Sequence, residues 1–287
     1  MSNKRNHWFK ALSITLIIIL IFESYIFWNY QETTQKQIFH LKEKCYSQTD
    51  STQSKNLKKV ESNISERITL DDNVYDTYAV DLKSSNLTFY HSDKKGNPIK
   101  TFSKLRDYIE RNNKKLVFAT NGGIYTQSLE SLGLYVENGK EISPLNRQKG
   151  TDNFFMEPNG IFYIKKGKAY IEKTNDFNEN IDDITFATQS GPMLIVEDEF
   201  HPKFGQKSEN KNIRSGVGII DENKIVFAIS NQPVNFYDFA KLFKKRFQCK
   251  NALYLDGAIS KMYLPELKRT YLDSTISFGS FICVEIK

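Results

Sequence analysis

The sequence predicts an α+β protein: a single mixed-sheet domain with many short strands and few helices, behind an N-terminal transmembrane helix. Three observations carry that expectation. A long apolar run lies near the start; from about Val74 onward short β-like runs alternate with Gly and Asn; and only two segments have helical periodicity. With 39% hydrophobic and 26% charged residues among 287, the chain has enough apolar material for a core and is not a disordered polymer.

Residues 1–10 form a basic, polar segment expected to stay cytoplasmic. Ala11–Trp28 is apolar except for Glu23 and a few hydroxyl residues, close to the roughly 20 residues that span a bilayer. Trp28 and Tyr30 would sit in the aromatic belt, so residues 11–30 are expected to form a signal-anchor. No A-x-A-like cleavage site follows the run, although a cleaved signal peptide shares its basic start. Lys4, Arg5 and Lys10 precede it, which places the main domain outside the cytoplasm. Residues 31–70 are rich in Gln, Thr, Ser, Lys and Asn and read as a polar tether. The folded body is expected over 71–287.

The formal charge of +6 is front-loaded. Lys4, Arg5 and Lys10 face only Glu23 in residues 1–30, and seven basic side chains face five acidic ones in 31–70, which leaves +2 for the body. A nucleic-acid binder carries its charge on the folded domain, so no nucleic-acid partner is expected. The three cysteines, Cys45, Cys249 and Cys283, contain no C-x-x-C pair, so no structural zinc site is expected; with no phosphate-binding loop, dinucleotide fingerprint or H-E-x-x-H motif, no cofactor is expected either. Whether Cys249 and Cys283 pair is left open, because spacing does not fix their separation.

Within the body, strands are expected at Val74–Leu82, Leu87–Tyr90, Leu116–Thr120, Gly133–Val136, Ile161–Ile164 and Ala169–Glu172. The series continues at Phe186–Gln189, Met193–Val196, Val217–Ile220, Ile225–Ile229, Leu253–Leu255 and Phe278–Ile286. Asn138-Gly139 and Lys166-Gly167 mark hairpin tips. Ser103–Asn112 puts Phe102, Leu105 and Ile109 on one helical stripe. Tyr237–Phe247 does the same with Phe236, Phe239, Ala240, Phe243 and Phe247, behind an Asn235 N-cap.

Several apolar runs end abruptly in small or polar residues, as strands do when they deliver reactive groups to a sheet edge. Asn121, Gly122 and Gly123 end one; the glycines admit close approach of a ligand to the backbone, and the same residues also make an ordinary Asn-Gly turn. Asp256-Gly257 ends another, where desolvation would favour a general base and where a hairpin turn is the plainer reading. Gln189, Ser190 and Gly191 are polar groups at a strand-end turn. Arg214 precedes a strand and suits bidentate phosphate binding, or is a surface charge. His201 and Asn159 sit in loops that suit acid–base and sugar contacts respectively, or plain solvent exposure and turn formation.

The order of these blocks is more specific than any one of them. NGGIY, GLYVENGK, PNGIFYI, ATQSGPMLI, HPKF, RSGVG, VNFYDFAKLF and CKNALYLDGAIS, together with the NFF of Asn153–Phe155, closely resemble the phosphodiester glycosidase family, in its bacterial exported branch. The resemblance covers about residues 75–287. It implies a membrane-tethered hydrolase acting on sugar-1-phosphodiesters of the N-acetylglucosamine-1-phosphodiester type. It casts Asp256 and Gly257 as the centre of an acidic turn with Ser260 beside them, Asn121, Gly122 and Gly123 as a second wall, Gln189, Ser190 and Gly191 as a third, and Arg214 as the phosphate contact. Asp256, Arg214 and Asn121 are therefore expected to be catalytic, and the others, with Asn159 and His201 from the reading of their loops, to bind a sugar-phosphate or glycan substrate. One departure stands out: where many members have a further glycine pair after Asp-Gly, this chain has Ala258 and Ile259. That departure motivates the rival expectation, a non-catalytic glycan- or phosphoglycan-binding envelope protein on the same fold.

Overall fold

The computed structural model, which describes residues 63–256, 259–270 and 275–287, turns the short apolar runs into three antiparallel sheets. The chain divides into two compact units at Lys59/Val60. The first unit, with the expected membrane segment 11–30, lies outside the described residues, as do Gly257 and Ala258. Among the described residues no helix is long and apolar enough to cross a membrane.

The largest sheet runs β1 (Ile64–Leu70), β2 (Asn73–Asp81), β13 (Lys224–Ser230), β12 (Ser215–Asp221), β14 (Asn251–Asp256), β10 (Met193–Val196) and β11 (Glu199–Phe200) in spatial order. The second runs β16 (Arg269–Thr270), β15 (Met262–Leu264), β4 (Lys115–Asn121), β17 (Phe281–Ile286) and β3 (Asn86–Tyr90). The third is β6 (Lys140–Ser143), β5 (Tyr135–Glu137), β9 (Ile184–Ser190), β7 (Gly160–Lys165) and β8 (Lys168–Lys173). The strands expected from Val74 onward are all present with shifted ends. The segment expected to be tether contributes β1, whose Ile-Ser-Glu-Arg-Ile-Thr-Leu sequence is one-sidedly exposed and pairs along its length with β2.

Every named strand pair is antiparallel, because neighbours are joined by hairpins and loops with few crossover helices. The β5–β6 and β7–β8 tips take positive φ at Asn138 (51°), Gly139 (78°), Lys166 (50°) and Gly167 (77°). Those are the left-handed conformations that the tight hairpin turn demands and that Gly adopts without penalty.

The three sheets meet over a shared apolar core. Phe227 of β13 lies 5.1 Å from Phe118 of β4 and 6.1 Å from Phe162 of β7, ring centre to ring centre, and all three are fully buried. Burying a phenylalanine side chain contributes about 1.5–3 kcal/mol. Helix α1 (Phe102–Arg111) is capped by Thr101, whose hydroxyl accepts from Lys104 N at 3.2 Å. It lays Phe102, Leu105 and Ile109 against the second sheet.

Helix α2 (Phe236–Lys241) starts at Asn235, whose side chain accepts from Asp238 N at 2.8 Å. The helical stripe then continues as a π-helical turn, Leu242–Arg246. Phe239 and Phe243 press onto β12, where a Cβ at Gly218 would lie 2.6 Å from the Phe243 ring. The glycines of the Arg-Ser-Gly-Val-Gly block therefore make room for the phenylalanines of this helical stripe.

Candidate active site

Antiparallel pairing brings distant strand ends into register. Ser215, the first residue of β12, is directly opposite Asp256, the last of β14. Across the space between sheets, Asn121 ends β4 and is fully buried. Its Oδ1 accepts from Ser215 Oγ at 3.2 Å and from Lys261 N at 3.2 Å, while its Nδ2 donates to Gly122 O at 3.1 Å. Ser260 Oγ lies 3.1 Å from Ser215 Oγ and donates to the Asp256 carbonyl. Ser215 Oγ also reaches that carbonyl, at 3.3 Å. Each hydroxyl has one proton, so these are shared donations in a single closed network. The network holds the start of the Asp256 turn.

Asp256 is 9% exposed. Burial, with the Asp256 charge adding to it, pushes the phenols of Tyr125 and Tyr254 well above their usual range, which puts both rings within electrostatic reach of this carboxylate. Tyr125 is anchored by its hydroxyl donating to Ser277 O at 2.8 Å.

The third sheet supplies another wall. Ser190, at the end of β9, donates from Oγ to Leu255 O at 2.9 Å, one residue before Asp256. Gly123 N donates to Thr188 Oγ1 at 3.1 Å and Gly122 N to Ser280 O at 2.9 Å. A Cβ on Gly123 would lie 2.5 Å from Gln189 O, and one on Gly191 2.6 Å from Phe154 O. These glycines are therefore required where strand ends from two sheets close on one another. Asn121, Gly122, Gly123, Ser190, Ser260 and Asp256 are thus brought together.

Other expected residues sit apart from this network. The Gln189 amide is spent on loops: Oε1 accepts from Leu134 N (3.0 Å) and Asn146 N (2.9 Å), and Nε2 donates to Asn146 O (2.6 Å). Asn159 is buried beside Gly191, with Nδ2 donating to Phe154 O at 2.7 Å. It also lines a cavity of about 310 Å³ with Glu157, Lys173 and Asp176. Gly257 lies outside the described residues.

His201 is buried, not solvent-exposed. Its ring stacks 4.6 Å from Phe204, Nδ1 accepts from Lys203 N at 3.2 Å, and Nε2 has no hydrogen-bond partner among the described residues. Burial, with the Lys203 charge, lowers its pKa to about 4, so the imidazole is neutral at pH 7.

Arg214 has the least expected setting. It is fully buried and is no surface charge. Its guanidinium lies 3.6 Å over the Phe236 ring, which in turn stacks 4.9 Å from Phe204. Nε donates to Val234 O at 2.8 Å and Nη2 to Asn210 O at 2.9 Å; Nη1 has no hydrogen-bond partner among the described residues. Burial lowers its pKa, and the Tyr254 phenol works against that. No carboxylate pairs with it among the described residues, so the charge is held by π faces, carbonyls and the Tyr254 ring. Its neighbour Ser215, with Thr188, Ser280, Tyr125 and Tyr254, are site residues that composition and motif reading did not single out. Only Ser215 carried a signal, as the polar residue at the start of the Arg-Ser-Gly block.

Known proteins place this architecture. The family model for phosphodiester glycosidase matches residues 114–282, more than half the chain. Over 146 residues the chain is 43% identical to the uncharacterized protein YigE of Escherichia coli, a stretch that is 51% of this chain and 57% of that protein. The aligned chain thus spans little more than half the length of that relative. Among solved structures, the catalytic domain of zebrafish N-acetylglucosamine-1-phosphodiester alpha-N-acetylglucosaminidase, auto-inhibited by its pro-peptide, shares the fold. The TM-score is 0.53 at 16% identity, over 82% of this chain and 85% of that one. With Asn121 and Asp256, at the ends of two strands, joined in one network and its sequence matched by that model, the chain belongs to the phosphodiester glycosidase family.

Proposed function

We propose that this protein hydrolyses a sugar-1-phosphodiester between the anomeric carbon and the phosphate oxygen, giving free sugar and a phosphate monoester. The observation that carries the proposal is the convergence of Asn121, Ser215, Ser260 and the Asp256 turn on one hydrogen-bond network within a phosphodiester glycosidase fold. The departing monoester has a second pKa near about 6, so it leaves without a general acid, unlike the alcohol expelled by an ordinary glycosidase. Water supplies the oxygen that joins the anomeric carbon. Asp256 takes a proton from that water, or its charge steadies the oxocarbenium-like centre. Arg214 supplies positive charge from beneath the strand end, where its Nη1 has no hydrogen-bond partner among the described residues. The basic start and apolar run at 11–30 support tethering to a membrane with the enzyme domain outside the cytoplasm, testable by fractionation and protease protection.

The test is hydrolysis of an N-acetylglucosamine-1-phosphodiester by the full chain in heavy-oxygen water. Label in the sugar and none in the phosphate is the expected result; label in the phosphate would refute cleavage at the anomeric carbon. Asp256→Asn and Arg214→Met should each lower turnover by about 100- to 1000-fold. Methionine is the informative replacement at 214, because alanine would also open a cavity beneath Phe236. Ala258 and Ile259, in place of glycines, favour the second reading: saturable binding of a sugar-phosphate ligand with no product would support it.

A further inference from the structure

Directly opposed residues form a row across five strands of the large sheet: Arg67 of β1, Asp76 of β2, Ile229 of β13, Ser215 of β12 and Asp256 of β14. Three strand spacings separate Asp76 from Asp256, about 14 Å. Asp76 is fully buried, and two guanidiniums grip it. Arg67 donates from Nε at 2.7 Å and Nη2 at 3.1 Å, and Arg269 donates from Nε at 2.9 Å. Arg269 Nη2 is held by Asn231, and Arg67 Nη2 also approaches Leu267 O at 3.4 Å. Burial raises the Asp76 pKa, but the two arginines and Asn231 outweigh it and leave the carboxyl below its usual range.

One guanidinium neutralises a carboxylate; the second leaves a surplus positive charge. Both cations reach solvent, since the Arg67 side chain is 53% exposed and that of Arg269 23%. Nη1 of each takes no part in the network among the described residues. Holding two like charges on one small anion is costly unless another anion joins them. Lys268 adjoins Arg269, and the Glu266 carboxylate accepts from Ser65 Oγ at 2.5 Å.

We propose that Arg67 and Arg269 form a second anion subsite that takes a further phosphate of the same substrate, so that a chain of linked phosphodiesters is bound in preference to a single one. This rests on the proposed sugar-phosphodiester chemistry at Asp256. Asp76, which the arginines grip, lies about 14 Å from Asp256, and Arg67 is one strand further away, which leaves them a neighbouring phosphate along an extended chain. Their planar donor pairs suit phosphate oxygens, and partial exposure lets a ligand reach them.

The test measures equilibrium binding to the full chain, without turnover, of a synthetic glycerol phosphate hexamer and of a single glycerophosphodiester. Arg67→Gln and Arg269→Gln are compared with wild type. Either variant leaves Asp76 paired with the other arginine, so neither strands the buried carboxylate, and unchanged urea midpoints check this. Wild type should bind the hexamer about tenfold more tightly than the single diester, with each variant losing about tenfold on the hexamer and less than about twofold on the single diester. Equal affinity of wild type for both ligands would overturn the subsite. So would unchanged hexamer binding by the variants, or the same loss on both ligands, which would make the arginines a scaffold clamp. Because binding is read without hydrolysis, a protein that cleaves nothing would refute the proposed reaction while leaving this comparison decisive.

Discussion

Replacing Asn121 with alanine removes the acceptor on which two strand ends are hung. Oδ1 takes Lys261 N and Ser215 Oγ, both at 3.2 Å, and the side chain has no solvent exposure to admit a replacement. The Ser215 hydroxyl keeps a second acceptor in the Asp256 carbonyl at 3.3 Å, so its loss is partial. Lys261 N, half-buried, loses the acceptor that Asn121 gives it. An unsatisfied buried donor costs about 1–3 kcal/mol, and the lost Nδ2 bond to Gly122 O adds about 1 kcal/mol. The expected destabilisation is about 3 kcal/mol, read as a shift in urea midpoint at unchanged slope. Ser215→Ala removes the other end of one of those bonds, so a double-mutant cycle should show a coupling of about 1 kcal/mol. Turnover on a sugar-1-phosphodiester should fall in both single variants, because the Asp256 turn loses its anchor. Additivity of the two stability losses within about 0.3 kcal/mol would refute the network as described.

Gly123→Ala should destabilise by about 1–3 kcal/mol or prevent folding, since its Cβ meets the Gln189 carbonyl at 2.5 Å and Thr188 Oγ1 at 2.6 Å; wild-type stability would show that the two strand ends are not in contact. His201 stays neutral down to about pH 4, whereas the unfolded imidazole protonates near about 6.5. Between those values the unfolded state binds more protons, so stability falls as pH drops through that window and is unaffected above it. His201→Asn should remove up to about 1.4 kcal/mol per pH unit of that slope, and an unchanged slope in urea midpoints measured across the window would refute it. Burial pushes the Cys249 thiol up to about 12 and that of Cys283 well above its usual range, and both are free. Neither should be alkylated by iodoacetamide in the folded protein at neutral pH; modification at Cys249 without unfolding, seen by mass spectrometry, would contradict its burial.

Strands with apolar centres were legible because burial on both faces leaves a run such as Ile225–Ile229 with no polar interruption. Edge strands were not. Ile64–Leu70 breaks its apolar residues with Ser, Glu and Arg in succession and buries only Ile68, so it reads as linker until β2 is seen beside it. Met262–Leu264 is too short to show a period, and its place is fixed by pairing with β4 across the sheet. At the site, Asn121, Ser260 and Asp256 stood out because polar groups ended apolar runs. Ser280 gains its importance only from Gly122 in another part of the chain, which no local pattern encodes. Arg214 was conspicuous as a charge, but its burial under Phe236 depends on a helix more than twenty residues later in sequence. The Gln189 amide shows the converse: a residue type suited to sugar recognition is occupied by loops that only the fold brings near.

Strand β17 lies between β4 and β3, so the middle of the second sheet is made from segments far apart in the order of synthesis; Asn86 and Glu285, which bond side chain to side chain, are 199 residues apart. A growing polypeptide leaving the ribosome cannot close that sheet, or seat Ser280 against Gly122, until its final strand has emerged. Partly made chains would therefore carry Asn121, Ser215, Asp256 and Ser260 without the strand that completes the sheet holding Asn121.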